Sequence, residues 1–282
     1  MNKIYDFCTW VWHKVLHVPI RLSKAIERRV ENPELTVIFL HGISATSDTW
    51  RSTFRQLTKN PDLAHVRLIA LDLLGFGKSL HAGWLDYDYL DYEKALDVAI
   101  KRLHICTPIV LVGHSMGSLI AADYVVNYTP IQSIAQLILV SPPVLMSKEL
   151  AELPDRAYTK TYSSLSKIAH DVPAAAVVAG FMQRFTSFRS AYIKTPAFAK
   201  SMEQIILNPK NYQTFTKIRI PATIIHGHFD PLVLGVNLRR AAKANSHYLT
   251  YRSVIGQHDI SVGKRAKIEI VLKKALKDAR QA

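Results

Sequence analysis

The chain has 282 residues, of which 36 are Lys or Arg and 22 are Asp or Glu, so its formal charge at pH 7 is +14. With 49% hydrophobic residues, 21% charged residues and only 11 glycines, the composition excludes disordered, collagen-like and low-complexity proteins. The two cysteines, Cys8 and Cys106, are far apart, which predicts neither a disulfide framework nor a cysteine-ligated zinc site. We interpret both as reduced, partly buried thiols.

The first sixteen residues mix apolar and aromatic side chains with charges. Trp10, Trp12 and their apolar neighbours are interrupted by Lys3 and Lys14, so no run approaches the roughly 20 apolar residues that cross a bilayer. No small-residue cleavage site follows a clean apolar run, which argues against a secretory signal. We therefore expect a cytoplasmic protein in which residues 1–16 form an amphipathic segment that associates weakly with anionic membrane surfaces.

Six short apolar runs predict strands. Their hydrophobicity is continuous rather than alternating, which is typical of strands in a mostly parallel sheet that is covered by helices on both faces. Turn residues and amphipathic helical patterns separate several of these runs, which indicates repeated strand–helix units. The predicted strands are 36–40, 66–71, 109–112, 137–140, 222–225 and 248–251, and the predicted helices between them are 48–57, 87–102 and 118–128.

This repetition stops after Pro143 and resumes at Pro221. The intervening residues contain helical patterns, notably over 172–185 and 198–207, and no run that resembles a buried strand. We predict an α/β fold in which a helical insertion lies over the end of the sheet. The predicted segments are the amphipathic segment 1–16, the first part of the core 17–143, the insertion 144–211 and the second part of the core 212–282.

Two charged clusters are interpreted as structural. Asp86, Asp88, Asp91 and Glu93 gather near the start of the second predicted helix, where the helix dipole favours negative charge, so we expect helix capping rather than a metal site. Near the C-terminus, basic residues alternate with apolar ones at helical spacing, which predicts an amphipathic helix with a solvated basic face. The basic residues of that face are Lys264, Arg265, Lys267, Lys273, Lys274 and Lys277.

The most informative segment joins the third predicted strand to a helix through Gly113-His114-Ser115-Met116-Gly117. The G-x-S-x-G pattern is weak by itself, but here it directly follows a buried strand and opens a helix, which is the context of a nucleophile elbow. The two glycines permit a tight turn in which a Cβ atom would clash. We predict that this turn holds Ser115 above the sheet as a catalytic nucleophile.

A serine hydroxyl needs a base, and the base needs an orienting carboxylate. Asp230 follows the predicted strand 222–225, and His258 follows the predicted strand 248–251. Both residues are therefore expected at the carboxyl edge of the sheet, where open α/β folds place their sites. The chain order Ser, Asp, His also agrees with this architecture, so we predict a catalytic triad of Ser115, Asp230 and His258.

Four motifs support this interpretation together: Leu40-His41-Gly42-Ile43, the D-x-x-G-x-G-x-S loop from Asp72 to Ser79, Gly113-His114-Ser115-Met116-Gly117, and the two loops with Asp230 and His258. The chain thus resembles serine hydrolases of the α/β-hydrolase fold. It is similar to the branch with a helical cap, which includes carboxylesterases, monoacylglycerol-lipase-like enzymes and carbon–carbon bond hydrolases. The resemblance covers about residues 17–276 without the cap. Pro231, directly after the acid, departs from the family's usual spacing.

The resemblance also assigns the loop after the first predicted strand. In that family the His-Gly loop supplies half of an oxyanion hole, which implies that the backbone N–H groups of Ile43 and Met116 bind the oxyanion. The loop from Asp72 to Ser79 resembles a structural loop, and Trp50 resembles an aromatic residue that packs behind the first loop. The glycines of the Asp72 loop match neither common phosphate-binding pattern, so no nucleotide site is predicted.

Several other histidines lie near predicted strand ends. His41 and His114 flank the oxyanion donors and are interpreted as packed or hydrogen-bonded there, whereas His226 and His228 precede the acid and shape its loop. None lies in a metal-ligand pattern, so neither a metal nor a cofactor is expected. The histidines compared with His258 are His41, His114, His226, His228 and His247.

These features predict a serine esterase that acts on a small-molecule ester through an acyl-enzyme. Phe181, Met182 and Phe185 are expected either to line an acyl pocket for a small or medium-chain ester or to form the insertion's own core. The alternative within the fold is hydrolysis of a carbon–carbon bond in a vinylogous diketone. The alternative from another class is a non-catalytic basic module that binds membranes or nucleic acids. Because the catalytic set is complete, we expect no nucleic-acid partner, and no oligomeric state is predicted.

Overall fold

The computed structural model describes residues 3–128, 134–146, 151–168 and 190–281. Within these ranges the strands are β1 Ser23–Arg28, β2 Leu35–Leu40, β3 Val66–Asp72, β4 Ile109–His114, β5 Ile134–Val140, β6 Ala222–Gly227 and β7 Leu249–Val254. They form one seven-stranded sheet in the order β1-β3-β2-β4-β5-β6-β7. The pair β1–β3 is antiparallel and the other pairs are parallel, so the predicted α/β architecture is confirmed.

Helices cover both faces of this sheet. Short 3-10 or π-helical turns extend several of them, including Val11–Val15, Ser47–Trp50, Tyr124–Tyr128 and Met202–Ile206. The helices of the described residues are α1 Lys3–Trp10, α2 Arg51–Lys59, α3 Tyr89–Arg102, α4 Met116–Asp123, α5 Leu153–Ile168, α6 Pro196–Ser201, α7 Asn211–Lys217, α8 Gly235–Ala244 and α9 Val262–Gln281.

The continuous apolar runs form strands, as predicted. Burial on both faces was wrong for β7, an edge strand in which only Leu249 is buried. All six residues of β2 and of β4 are buried. Successive side chains point to opposite faces of a strand. Accordingly Ile38 and Leu40 join one hydrophobic core, whereas Val37 and Phe39 join the other. The two cores hold the sheet between its helical layers. A site can then form at the carboxyl ends of the strands.

The strand β1 was not predicted, because its sequence Ser-Lys-Ala-Ile-Glu-Arg has no apolar run. It lies at the edge of the sheet, pairs with β3 through its backbone and carries a cluster of charged side chains. Glu27 accepts hydrogen bonds from Lys24 at 2.6 Å, Arg29 at 2.9 Å and Arg67 at 2.7 Å. Partial burial alone would raise the pKa of Glu27, but these three cations lower it to about 2. An edge strand of this kind carries no hydrophobic signature.

The acidic cluster at the start of α3 has two different roles. The side chain of Asp88 accepts the N–H of Asp91 at 2.9 Å, and the side chain of Asp91 accepts two backbone N–H groups just before the helix. The capping interpretation is thus confirmed for these two residues. It is wrong for Glu93, which is 4% exposed. Burial, followed by the hydrogen bond and charge of Asp123, raises the pKa of Glu93 to about 9.

In the described part of residues 144–211, the predicted insertion, the regular structure is helical, and its helix α6 contacts the rest of the chain. The predicted helix 198–207 corresponds to α6 and the turn that follows it, whereas the predicted helix 172–185 lies outside the described residues. Lys200 on α6 donates to the carbonyls of Gly83 at 3.2 Å and Leu85 at 2.5 Å. These contacts join the insertion to the loop that precedes α3.

The helix α1 lies on the surface beside the same loop. Cys8 on this helix and Cys106 before β4 are free and exposed, so the prediction of partly buried thiols was wrong. Both lie in segments that no second layer covers, because α1 contains no buried residue and Cys106 stands in a loop. In the described parts of the chain, no helix has both the length and the apolar character that crossing a membrane requires.

Candidate active site

Ser115 is the single residue between β4 and α4, because β4 ends at His114 and α4 begins at Met116. Its backbone has a φ of 51° and a ψ of −118°. Such a conformation costs a residue other than glycine about 1–3 kcal/mol. The N–H of Ser115 donates to the carbonyl of Val140 at 2.8 Å. The turn is therefore strained and is held by the neighbouring strand β5.

Two glycines let helix α4 start directly after the strand. A Cβ atom on Gly113 would lie 2.4 Å from the carbonyl oxygen of Gly117 and 2.5 Å from the Cα of Ser118. A Cβ atom on Gly117 would lie 2.6 Å from the carbonyl oxygens of Leu40 and His41. Backbone therefore contacts backbone at both positions, and only glycine fits. The tight turn predicted from the G-x-S-x-G pattern is confirmed.

His258 and Asp230 form a buried hydrogen-bonded pair. The Nδ1 atom of His258 lies 2.9 Å and 3.0 Å from the two carboxylate oxygens of Asp230. A carboxylate can only accept, so Nδ1 carries the proton and donates it. The other ring nitrogen, Nε2, is then available to accept a proton when the ring is neutral. The loops after β6 and β7 thus meet as their strand positions predict.

The carboxylate of Asp230 is ionised at neutral pH. Burial alone would raise its pKa, but the charge and hydrogen bond of His258, with a further contribution from Lys264, lower the pKa of Asp230 to about 2. The N–H of Leu232 also donates to this carboxylate at 2.9 Å. A fixed negative charge beside Nδ1 can orient the imidazole and stabilise its protonated form.

His114 connects the strained turn to the loop that carries His258. Its Nε2 donates to the carbonyl of His258 at 2.9 Å, and the centroids of the two rings are 5.0 Å apart. Ser115 and His258, both within the described residues, are not hydrogen-bonded to each other. Catalytic hydrogen bonds are often long before substrate binds. His114, the residue directly before Ser115, therefore links the turn that carries Ser115 to the loop that carries His258.

The loop after β2 lies against Ser115. A Cβ atom on Gly42 would lie 3.1 Å from the Cβ of Ser115. The N–H of Leu73 donates to Nε2 of His41 at 2.9 Å, so the ring proton is on Nδ1, which donates to the carbonyl of Gly42 at 2.7 Å. Because C=O and N–H point in opposite directions across a trans peptide, the N–H of Ile43 points away from His41. His41 thereby orients the peptide of one predicted oxyanion donor.

The second predicted donor, Met116, is the first residue of α4. The first four N–H groups of a helix have no acceptor inside the helix, and the helix dipole adds partial positive charge at this end. Behind the turn, Trp50 is fully buried and packs its ring against Phe39 and His114, with centroid distances of 5.0 Å and 6.4 Å. The expected packing of Trp50 behind the first loop is confirmed.

The loop from Asp72 to Ser79 is structural, as expected. The two carboxylate oxygens of Asp72 accept the N–H groups of Ser47 at 2.8 Å and Lys78 at 3.0 Å. The hydroxyl of Ser79 donates back to the carbonyl of Asp72 at 2.5 Å. The carboxylate therefore ties this loop to the segment before α2.

Lys264 is a buried residue of the site that the sequence did not reveal. Its Nζ donates to the carbonyls of Gln257 at 2.5 Å, His258 at 3.0 Å and Asp259 at 2.8 Å, and to Oγ of Ser141 at 2.8 Å. It is 0% exposed, and burial lowers its pKa to about 8. The prediction that Lys264 lies on a solvated basic face was wrong, because the first turn of α9 packs beneath this loop.

Other histidines near the strand ends have structural partners. Burial, followed by the charges of His258 and Lys264, lowers the pKa of His114 well below its ordinary value. The Nδ1 atom of His226 lies 3.0 Å from the hydroxyl of Tyr251, and burial lowers the pKa of His226 to about 4. Both rings are neutral at pH 7. Of these histidines, His258 is the one that the structure places beside the buried carboxylate.

The predicted substrate-binding residues Phe181, Met182 and Phe185 lie outside the described residues. Their assignment to an acyl pocket therefore stays a prediction. Within the described ranges, no group of three or more histidine, cysteine, aspartate or glutamate side chains is arranged to hold a metal ion.

A family model described as alpha/beta hydrolase fold matches residues 36–264. Among curated proteins, "Probable lysophospholipase BODYGUARD 4" of Arabidopsis thaliana is 32% identical over 132 residues, which cover 47% of this chain and 30% of the relative. "Monoacylglycerol lipase ABHD6" of Rattus norvegicus is 22% identical over 264 residues, which cover 84% of this chain and 76% of the relative. The match to the Arabidopsis protein thus spans less than a third of that protein.

Solved structures with the same fold are similar over almost their whole length. An esterase from Exiguobacterium antarcticum superposes with a TM-score of 0.66 at 19% identity, covering 91% of this chain and 99% of that one. A bromoperoxidase from Bacillus anthracis superposes with a TM-score of 0.67 at 20% identity, covering 95% and 98%. At these identities the likeness concerns the fold.

Proposed function

Because the chain belongs to the α/β-hydrolase fold family, we propose that it is a serine hydrolase that cleaves carboxylic esters with Ser115, His258 and Asp230 as its catalytic triad. The observation that carries this proposal is the buried pair in which His258 Nδ1 donates to both oxygens of Asp230, beside the strained turn of Ser115. Curated relatives with lipase and lysophospholipase names support ester hydrolysis as the reaction class.

In the proposed first step, Nε2 of His258 takes the hydroxyl proton of Ser115 while the oxygen attacks the ester carbonyl. The carbonyl π bond becomes an oxyanion, which the N–H groups of Ile43 and Met116 bind. Collapse of this intermediate breaks the bond to the alcohol oxygen, and the alcohol leaves with the proton from His258. Asp230 stabilises the imidazolium throughout without accepting its proton.

In the second step, water replaces the alcohol. His258 takes a proton from the water molecule, the resulting hydroxyl attacks the acyl-enzyme, and a second oxyanion forms at the same donors. Its collapse returns the proton to Ser115 and releases the acid. The sequence of steps needs neither a metal nor an organic cofactor.

The substrate that we propose is an ester of a small or medium-chain acyl group. The apolar character of the insertion, with Phe181, Met182 and Phe185, supports an acyl pocket. The relatives' names favour an ester with one acyl chain on a glycerol-type alcohol. A chain-length series of p-nitrophenyl esters tests this assignment. A preference for acetate, with no gain on lengthening the acyl chain, would contradict it.

Labelling with a fluorophosphonate, followed by peptide mapping, tests the nucleophile. We expect the label on the peptide that contains Ser115, and we expect Ser115→Ala to lose both the label and ester turnover. Ser52→Ala, at an exposed serine of α2, is the matched control and should keep both. Turnover of a vinylogous diketone without turnover of any ester would replace the proposed reaction by carbon–carbon bond hydrolysis.

The assignment of the acid is tested with two neighbouring aspartates. Asp230→Asn should lower kcat by as much as ~10⁴-fold, because the tautomer and the charge that stabilises the imidazolium are both lost. Asp259→Asn, at the exposed residue directly after His258, should leave kcat within about threefold of the wild type. If Asp259→Asn instead showed the larger loss, the acid would be Asp259.

A further inference from the structure

The N-terminal helix α1 and the turn Val11–Val15 direct three polar residues toward the protein, whereas Lys3 and Lys14 are exposed. The carboxylate of Asp6 accepts the N–H of Gly83 at 2.9 Å, and the hydroxyl of Thr9 accepts the indole N–H of Trp84 at 2.9 Å. The ring centroids of His13 and Trp84 are 6.1 Å apart. These three polar residues follow one another at helical spacing, so a single polar stripe attaches the segment to the loop before α3.

The opposite side of the same segment is apolar and faces outward. Phe7 is 65% exposed, Trp12 is 53% exposed and Leu16 is 57% exposed. A surface helix of a globular protein normally buries its apolar stripe and exposes its polar one. Here the arrangement is reversed. The exposed large side chains of this outer face are Ile4, Tyr5, Phe7, Trp10, Trp12, Val15 and Leu16.

A basic cleft adjoins this outer face. It has a volume of about 420 Å³ and is bordered by Trp12 of the outer face and by Arg21, Lys78 and Arg102. Its lining contains no aspartate or glutamate. Among the described residues, none of these three cations forms an ion pair with a carboxylate. The cleft therefore offers three positive charges and the hydroxyl of Ser23 to a phosphate group.

An apolar face with aromatic residues, next to cations that form no ion pair within the described residues, is complementary to the surface of an anionic membrane. Tryptophan and tyrosine favour the boundary between lipid headgroups and acyl chains, where their rings are buried and their polar atoms stay hydrated. Lysine and arginine near such a boundary are attracted by anionic headgroups. A nucleic acid would use the cations but would leave the exposed Phe7, Val15 and Leu16 in water.

We propose that the outer face and the basic cleft form a docking surface for a bilayer that contains anionic phospholipid. The apolar side chains of residues 4–16 enter the headgroup region while the helix axis lies in the plane of the membrane, and the cleft receives a headgroup phosphate. Because the polar stripe is already hydrogen-bonded to the protein, the segment is ordered before it binds. This proposal goes beyond the proposed reaction and does not depend on it.

Flotation with vesicles of phosphatidylcholine, with and without phosphatidylglycerol, tests the proposal on the full chain. We expect binding to the vesicles that contain phosphatidylglycerol. Phe7→Ser with Leu16→Ser should weaken the partition coefficient at least about tenfold, since two apolar side chains no longer enter the membrane. Leu90→Ser with Ile270→Ser removes two exposed apolar side chains elsewhere and should leave binding unchanged.

The cleft is tested by a matched set of charge changes. Arg21→Gln, Lys78→Gln and Arg102→Gln together should weaken binding to phosphatidylglycerol vesicles by about a hundredfold, because three cations near the surface are lost. The control protein loses the same total charge at exposed lysines that do not line the cleft and should bind within a few-fold of the wild type. The control substitutions are Lys59→Gln, Lys243→Gln and Lys274→Gln.

Three results would overturn the proposal. The first is equal vesicle binding by the wild type and the variants. The second is no vesicle binding together with self-association in sedimentation velocity that Phe7→Ser with Leu16→Ser abolishes, which would make the outer face an interface between copies of the chain. The third is binding to DNA alone. Hydrolysis of a soluble ester, measured on every variant, separates these results from failure of the proposed reaction.

Discussion

The ammonium group of Lys264 donates to the carbonyl of His258 at 3.0 Å, and it also holds the carbonyls on either side of that residue. A single buried cation therefore fixes three successive peptides of the loop that presents the proposed base. The second contact to this loop is the hydrogen bond from His114 to the same carbonyl. The backbone of His258 is thus held from two sides, by Lys264 and by His114, whose ring also packs against the imidazole.

Replacing Lys264 by methionine should lower kcat by about 100-fold with little change in KM, because the base is displaced while the substrate-binding residues remain. Lys274→Met, at an exposed position of the same helix, should leave kcat unchanged. Steady-state kinetics of both variants check this prediction. The thermal unfolding temperatures of both variants show whether Lys264→Met remains folded, so that a lower kcat can be attributed to displacement of the loop. A folded Lys264→Met protein with normal kcat would contradict the positioning role.

Ser115→Gly should be more stable than Ser115→Ala, although both variants lack the nucleophile. The positive φ of Ser115 costs about 1–3 kcal/mol in a residue with a Cβ atom, and glycine avoids this cost. Glycine also loses more conformational entropy on folding, which offsets only part of that gain. We expect a difference of about 1 kcal/mol in the free energy of unfolding, measured by urea denaturation. Equal stability of the two variants would show that the turn is not strained.

Gly113→Ala should destabilise the protein by about 1–3 kcal/mol or more, because its Cβ would lie 2.4 Å from the backbone of Gly117. Gly263→Ala provides the matched control, since a Cβ at that position would have its nearest neighbour at 3.4 Å, an ordinary contact. In helix α9 this control should stabilise by about 0.5–1 kcal/mol. Urea denaturation of both variants measures the contrast, and a similar effect of both would contradict it.

Glu93→Gln should stabilise the protein increasingly as pH rises from about 4.5 to about 9. Burial and Asp123 raise the pKa of Glu93 to about 9, so the folded wild type keeps this proton where the unfolded chain has lost it. The folded state then binds more protons, and wild-type stability falls with pH by up to about 1.4 kcal/mol per unit. Unfolding free energies at several pH values test this slope, with the exposed Asp86→Asn as control for loss of a carboxylate. A pH-independent difference would contradict it.

The strands that could be predicted are those that contain a short apolar run, including the mostly exposed edge strand β7. The runs at β2 and β4 are apolar throughout, so their sequence and their burial carry the same information. The strand β1 could not be found in this way, because Glu27 and its cationic partners stabilise it at the sheet edge. Secondary structure in the described part of the insertion follows helical patterns, and the helix predicted over 172–185 remains a prediction.

Residues of the candidate site that lie at strand ends could be predicted from the sequence. Lys264 was missed, because it contacts only the backbone of the loop that carries His258. Strand order brings Asp230 and His258 together, as their positions in the chain require. Their catalytic roles, and that of Ser115, stay predictions until the labelling experiment is done. Lys264 has the same sequence surroundings as the exposed lysines of α9, and only the packing of its first turn under the loop distinguishes it.

Gly83 is held from both directions. Its N–H is bound by Asp6 of the N-terminal helix and its carbonyl by Lys200 of the insertion. One residue therefore connects the segment that we propose to rest on lipid with the helix α6 of the predicted insertion. A displacement of either segment relative to Gly83 would break one of these two hydrogen bonds, so a bilayer that pulled on the N-terminal helix would load the same residue that anchors α6.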